Sequence, residues 1–166
     1  MTLTKLTDEI WVGDLRPIED IKAHGIATTI CLTSNKDFDG ERIHYPLEDG
    51  AGNIPADFYI ICTIIDTLVL TGRTPVLVQC RMGISRSVTV CAFYLAVKQP
   101  DKFLNIIEAV NYIKTLHKSA FPDINLLQTA QEALNIYRYF HMERNPLPKI
   151  PITFTKGLGM IYPVVT

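Results

Sequence analysis

Short apolar runs alternate with longer stretches of helical periodicity along this chain. Residues 9–12 form a strand pattern ending at Gly13. Asp14 and Pro17 then open a helix that stops near Gly25, with proline in its first turn and glycine past its end. Thr28-Thr29-Ile30-Cys31-Leu32 is β-branched and apolar, which predicts a buried strand closed by Ser34 and Asn35. A short extended stretch over 43–46 leads into the loop 47–53. A helix follows over 55–70, apolar at 58, 61, 65 and 68, and Thr71–Pro75 breaks it. Val76-Leu77-Val78 is the unbroken apolar run of a strand buried on both faces of a parallel sheet. A buried helix is predicted over 87–97. Two amphipathic helices follow over 104–117 and 124–140, with stripes at 106, 110, 113, 116 and at 127, 130, 134, 137.

Strands alternating with helices predict an α/β domain over residues 1–142. Its centre should be a mostly parallel, twisted sheet of four to five strands with helices on both faces. From Glu143 the rhythm ends. Pro146, Pro148, Pro151 and Pro163, with two glycines, allow no long regular element in a tail over 143–166. Ile150, Ile152, Phe154, Ile161 and Tyr162 are more apolar than a solvated linker needs. The tail is therefore expected to be partly packed, on the domain or a partner, or disordered.

Composition narrows the function classes. The 166 residues suit one domain, 48% of them hydrophobic and 20% charged. Sixteen basic and seventeen acidic residues leave a net charge of -1. No global basic field points to nucleic acid or to a lipid surface. The first residues are too polar for a secretory signal, and Thr63, Asp66 and Thr67 interrupt the longest apolar run too often for a membrane span. The cysteines at 31, 62, 80 and 91 lack the paired spacing of a zinc site, and a disulfide framework is not expected at this size. A monomer in a reducing, cytoplasmic setting is the expectation. His24, His44, His117 and His141 are scattered without ligand spacing, so packing or surface roles are expected of them, and packing of Trp11.

The sharpest feature is Val76-Leu77-Val78-Gln79-Cys80-Arg81-Met82-Gly83-Ile84-Ser85-Arg86-Ser87. A buried strand delivers a cysteine into a tight loop that runs straight into a helix. Backbone N–H groups of such a loop converge on one point, and the helix N-terminus adds partial positive charge there. A tetrahedral oxyanion fits that cradle, lined by Arg81, Met82, Gly83, Ile84, Ser85 and Arg86. The same field favours the thiolate of Cys80, the form that attacks. Gly83 permits a backbone conformation that a side chain resists. Arg86 can clamp two phosphate oxygens with its planar fork. Cys31, Cys62 and Cys91, by contrast, read as packed core thiols.

The run Cys80-Arg81-Met82-Gly83-Ile84-Ser85-Arg86-Ser87 resembles the signature of the protein tyrosine phosphatase superfamily, in particular its dual-specificity branch. The likeness extends from about Ile10 to Tyr139. Ile10-Trp11-Val12-Gly13, then Gly25-Ile26-Ala27-Thr28-Thr29-Ile30, match the usual opening of that domain, and Pro122-Asp123-Ile124-Asn125 the start of its last helix. The resemblance implies that Cys80 forms a cysteinyl-phosphate, that Arg86 binds the phosphate and stabilises the transition state, and that Ser87 helps the sulfur leave. It implies no metal and no cofactor. Two positions depart from the pattern. Gln79 stands where the family has His; an amide donates hydrogen bonds but carries no charge, so activity should survive with a less stabilised thiolate. Asp123 stands where Asn is common, with an effect expected only on helix start and loop support.

Expelling the leaving group needs a general acid. Asp49, in a Gly-rich loop 31 positions before Cys80, matches the family's spacing; Glu48 ranks second. Arg81 either raises the potential at the pocket mouth or is merely solvated. The resulting expectation is a phosphatase acting on phosphorylated protein, taking phosphotyrosine and, in a shallow pocket, phosphoserine or phosphothreonine. The alternatives are a non-protein substrate such as an inositide, an RNA 5′ end or a metabolite, and a non-catalytic phosphate-binding module. Met82, Ile84 and Ser85 supply none of the lysines of inositide-directed relatives. Cys80, Asp49, Arg86 and Ser87 together argue against a bare binding module. A rhodanese-like sulfurtransferase also uses a cysteine loop before a helix, but the Ser85-Arg86-Ser87 ending and the upstream Asp49 favour a phosphatase.

Overall fold

The computed structural model describes residues 3–34, 42–141, 152–157 and 160–165, the last two segments as backbone strands only. The chain divides into two units, Met1–Ile136 and Tyr137–Thr166.

The first unit is built on a five-stranded sheet. In chain order its elements are β1 (Thr4–Lys5), β2 (Ile10–Gly13), α1 (Ile18–Ala23), β3 (Thr28–Cys31), β4 (Arg42–His44), α2 (Pro55–Leu70), β5 (Val76–Gln79), α3 (Arg86–Lys98), α4 (Ile106–Leu116) and α5 (Ile124–His141), whose last residues belong to the second unit. The spatial order is β1-β2-β5-β3-β4. β5 pairs in parallel with β2 and β3, and β3 with β4, while β1 alone runs antiparallel. The fold is thus α/β with a mostly parallel sheet.

Successive side chains of a strand face opposite ways, and β5 uses both faces. Val76 and Val78 join Ile10, Val12 and Ile30 in the main core against α2, α3, α4 and α5. Leu77 joins Ile21 of α1 and Ile26, with Trp11 and Ile18 packed alongside, on the other face. That two-sided cover is why the strand reads as continuous apolar sequence. The strand carrying the cysteine therefore sits centrally and is fully buried.

Local signals set the helix ends. Pro55 starts α2, and Asp57 Oδ2 accepts from the Ile54 N–H at 2.9 Å. Asn105 Oδ1 caps α4 through the Glu108 N–H at 2.9 Å, and Glu108 Oε2 accepts from the Leu104 N–H at 2.7 Å, a reciprocal cap. Two stripes differ from expectation. In α4, Leu116 is turned outward, 45% exposed, and the next residue, His117, is buried in its place. In α5 the buried set is Leu126, Ala130, Ala133 and Leu134, one position earlier at its start than the expected stripe.

Among the described residues, no helix is long and apolar enough to cross a membrane. In the second unit, β6 (Ile152–Gly157) and β7 (Met160–Val165) pair antiparallel with Ile152 opposite Val165 and Gly157 opposite Met160. Prolines and glycines led to the expectation of no long regular element here, yet Pro163 sits within β7 of a two-stranded ribbon, where an edge tolerates a missing N–H. Asn35, Ile150 and the side chains of Ile152, Phe154, Ile161 and Tyr162 lie outside the described residues, and with them the expectation of a packed tail.

Candidate active site

β5 ends at Gln79, and the next residue, Cys80, is only 2% exposed. The loop that follows is pinned from outside by its carbonyls. The Leu15 N–H donates to Arg81 O (3.4 Å), His117 Nε2 lies 2.7 Å from Gly83 O, and the Phe121 N–H donates to Ile84 O (2.7 Å). Ser85 O accepts from both the N–H and the hydroxyl of Thr89, each at 2.9 Å. Across a trans peptide the C=O and the next N–H point in opposite directions. Outward carbonyls at 81, 83, 84 and 85 therefore turn the N–H groups of Met82, Ile84, Ser85 and Arg86 toward the inside of the loop. Gly83 holds the crowded corner at φ +69; a Cβ there would lie 2.7 Å from the Gly13 carbonyl carbon and 2.8 Å from Asp14 N.

Arg86 opens α3, so the helix N-terminus faces the same point. Ser85 occupies the N-cap position, where a serine usually caps with its own hydroxyl. Here its side chain makes no cap bond. It donates instead to Asp49 Oδ1 (2.6 Å) and accepts from the Asp123 N–H (2.9 Å). One hydroxyl thus ties the loop after β4 and the start of α5 to the cradle. Asp123 Oδ1 in turn accepts from the Asn125 N–H at 2.8 Å, so helix start and loop support meet in that residue.

Cys80 Sγ lies 3.2 Å from Ser87 Oγ. Arg86 Nη1 donates to Leu47 O at 3.2 Å and Leu32 O at 3.5 Å, which fixes the guanidinium, while its Nε is buried without a partner. A buried guanidinium N–H wants an acceptor, and an oxyanion in the cradle supplies one. Gln79 is fully buried. Its Nε2 donates to Asp14 O (3.3 Å) and its Oε1 has no partner. Asp14 is itself buried and paired with Arg16, whose Nε donates to Asp14 Oδ1 at 2.9 Å.

The structure brings together Cys80, Arg86, Ser87 and, through Ser85, Asp49. Glu48 is joined to Asn53 by its backbone, its N–H donating to Asn53 Oδ1 at 2.9 Å and its carbonyl accepting from Asn53 Nδ2 at 2.8 Å, while Asp49 makes the contact to the loop. Arg81 and Met82 are exposed at the mouth, Ile84 is half-buried and Ser85 buried. His117, of which only a packing or surface role was expected, is buried and touches the cradle. Cys62 and Cys91 are held as thiols: burial pushes Cys62 up to about 12, and burial, then the neighbouring Cys80, raises Cys91 further.

A central parallel strand, a Cys-x5-Arg loop and a helix N-terminus define a cysteine-based phosphatase domain. The chain belongs to the dual specificity phosphatase family, residues 15–143 matching its catalytic domain. Solved structures share the fold. Human DUSP28 superposes with a TM-score of 0.72 at 20% identity, over 83% of this chain and 99% of that one. PTPMT1 gives 0.72 at 15% identity, over 87% and 100%. The human tyrosine phosphatase-like serine/threonine/tyrosine-interacting protein gives 0.66 at 20% identity, over 81% and 97%. A comparison with curated proteins by sequence found no match.

Proposed function

We propose that the chain is a protein phosphatase that hydrolyses phosphotyrosine, and phosphoserine and phosphothreonine in the same site, through a cysteinyl-phosphate intermediate. The observation that supports it most is the buried Cys80 sulfur at the base of a loop whose N–H groups turn inward, with a hydroxyl 3.2 Å away. The thiolate attacks phosphorus and the bond to the leaving oxygen breaks. Asp49 gives that oxygen its proton. The Arg86 fork and the inward N–H groups take up charge on the equatorial oxygens. Water then attacks the phosphocysteine, Asp49 takes its proton, and the Ser87 hydroxyl eases departure of the sulfur.

The loop favours a protein substrate over a polyanionic headgroup. Arg81 is its one exposed cation, and Met82 beside it is apolar and half exposed. The test is p-nitrophenyl phosphate hydrolysis in EDTA by the full chain and by Cys80→Ser. Turnover in the first and none in the second is expected. An inert wild-type protein with its fold intact would replace this reading with a phosphate-binding module.

A further inference from the structure

His117 sits at the C-terminal end of α4, 2% exposed, and takes no part in the chemistry proposed above. Its ring is nonetheless committed on both sides. Nε2 lies 2.7 Å from Gly83 O and 3.2 Å from Ser119 Oγ, and Nδ1 lies 2.7 Å from Thr4 Oγ1. These partners assign the tautomer. A carbonyl oxygen only accepts, so Nε2 carries the proton, and Nδ1 accepts from the Thr4 hydroxyl. Thr4 is fixed in turn, because β1 is paired to β2 with Thr4 opposite Val12.

The contact matters because of where the Gly83 carbonyl lies. Gly83 is the loop's corner, in the left-handed region and without a side chain to anchor its peptide plane. The other outward carbonyls are held by backbone donors of the loop after β2, the α4–α5 connection and α3. The Gly83–Ile84 plane is held by a side chain. If that carbonyl swings, the Ile84 N–H swings with it, away from the oxyanion.

We propose that His117 is a positioning residue of the cradle: it holds the Gly83 carbonyl outward so that the Ile84 N–H faces the phosphate, and the Thr4 hydroxyl on Nδ1 holds the His117 ring in the orientation that does so. The edge strand β1 thereby becomes part of the oxyanion site. The inference rests on the phosphatase reading for its consequence in turnover, but oxyanion binding tests it independently.

The experiment measures tungstate affinity by calorimetry, with turnover of p-nitrophenyl phosphate and alkylation of Cys80 by neutral iodoacetamide alongside. Losing one preorganised donor of an oxyanion site costs up to about a hundredfold or more; a donor released rather than deleted should cost about tenfold. His117→Ala should therefore weaken tungstate and lower kcat by about tenfold, with alkylation within about twofold of wild type. His117→Gln, whose Nε2 reaches the same carbonyl, should recover most of the loss, which general loosening of the fold would not allow. Unchanged tungstate affinity in a folded His117→Ala protein overturns the proposal, and so does a glutamine variant as weak as the alanine one. If His117→Ala does not fold, Thr4→Val decides: without the hydroxyl on Nδ1 the ring holds the carbonyl only part of the time, and a competent fraction of about one half should weaken tungstate by about twofold. No change there overturns it equally. An inert wild-type protein that still binds tungstate would sink the phosphatase reading and leave this one standing.

Discussion

At the scale of single residues, the site is defined by polar atoms that are placed rather than merely present. Gln79 shows the cost. Its Oε1 is buried and unpartnered, a loss of about 1–3 kcal/mol where such a group is desolvated, and its neutral amide adds no charge behind the cradle. An imidazole in its place can be charged, and a positive charge beside the loop favours thiolate. Gln79→His should therefore move the onset of iodoacetate inactivation to lower pH; a superimposable pH curve would show that this position does not tune the sulfur. Ser85 matters for a different reason, since its hydroxyl is what connects Asp49 to the loop at 2.6 Å. Ser85→Ala should lower turnover of an alkyl phosphate by about tenfold, a part of the roughly 100- to 10,000-fold that a general acid contributes, because Asp49 is loosened and not removed. It should leave p-nitrophenyl phosphate, whose leaving group needs little protonation, much less affected. Equal losses on both substrates would mean that Ser85 shapes the cradle and not the acid.

At the scale of elements, periodicity was readable and tertiary contact was not. The helix over 55–70 has the ends its proline and Thr71–Pro75 break announce, because those signals are local. The Cys80 loop was legible for the same reason, as strand, turn and helix start are contiguous. His117 was not, since the carbonyl it meets is 34 positions away and nothing in its neighbours marks it. Nor was the link from Ser85 to Asp49, since Ser85 carries the cap signature and spends its hydroxyl elsewhere. β1 has two residues and no apolar alternation, so only its pairing with β2 reveals it. Glycines separate by the same logic. Gly25 and Gly83 both have positive φ, but a Cβ on Gly25 meets nothing within 4 Å, whereas one on Gly83 meets the backbone of Gly13 and Asp14. Gly25→Ala should lose about 1–2 kcal/mol in urea unfolding, the cost of a left-handed L-residue, and keep full turnover. Gly83→Ala should lose more than that and turnover with it. Comparable losses in the two would show that the loop yields to the added atom.

At the scale of the whole first unit, the packed core between sheet and helices sets how the protein responds to pH. Cys62, Cys91 and Tyr94 lie on α2 and α3 in that core. Burial raises all three: Cys62 to about 12, with Asp66 adding to it, and Cys91 and Tyr94 further still. Below the ordinary thiol value of 9.0, folded and unfolded chains both hold these protons. Above it the unfolded chain releases them first while the folded chain retains them. The unfolded state then binds fewer protons, so stability must fall as pH rises from about 9 toward 12, by up to about 1.4 kcal/mol per pH unit for each group. Urea midpoints measured across that window should decline, and Cys91→Ala should decline less steeply than wild type even where its neutral-pH stability is lower. A flat profile would mean that the core opens enough to let these groups ionise in place. Protonated thiols also react poorly with alkylating agents, so native protein near neutral pH should take up iodoacetamide at Cys80 ahead of Cys62 and Cys91. Mass mapping that finds Cys62 or Cys91 labelled as fast as Cys80 would contradict the packing that raises them.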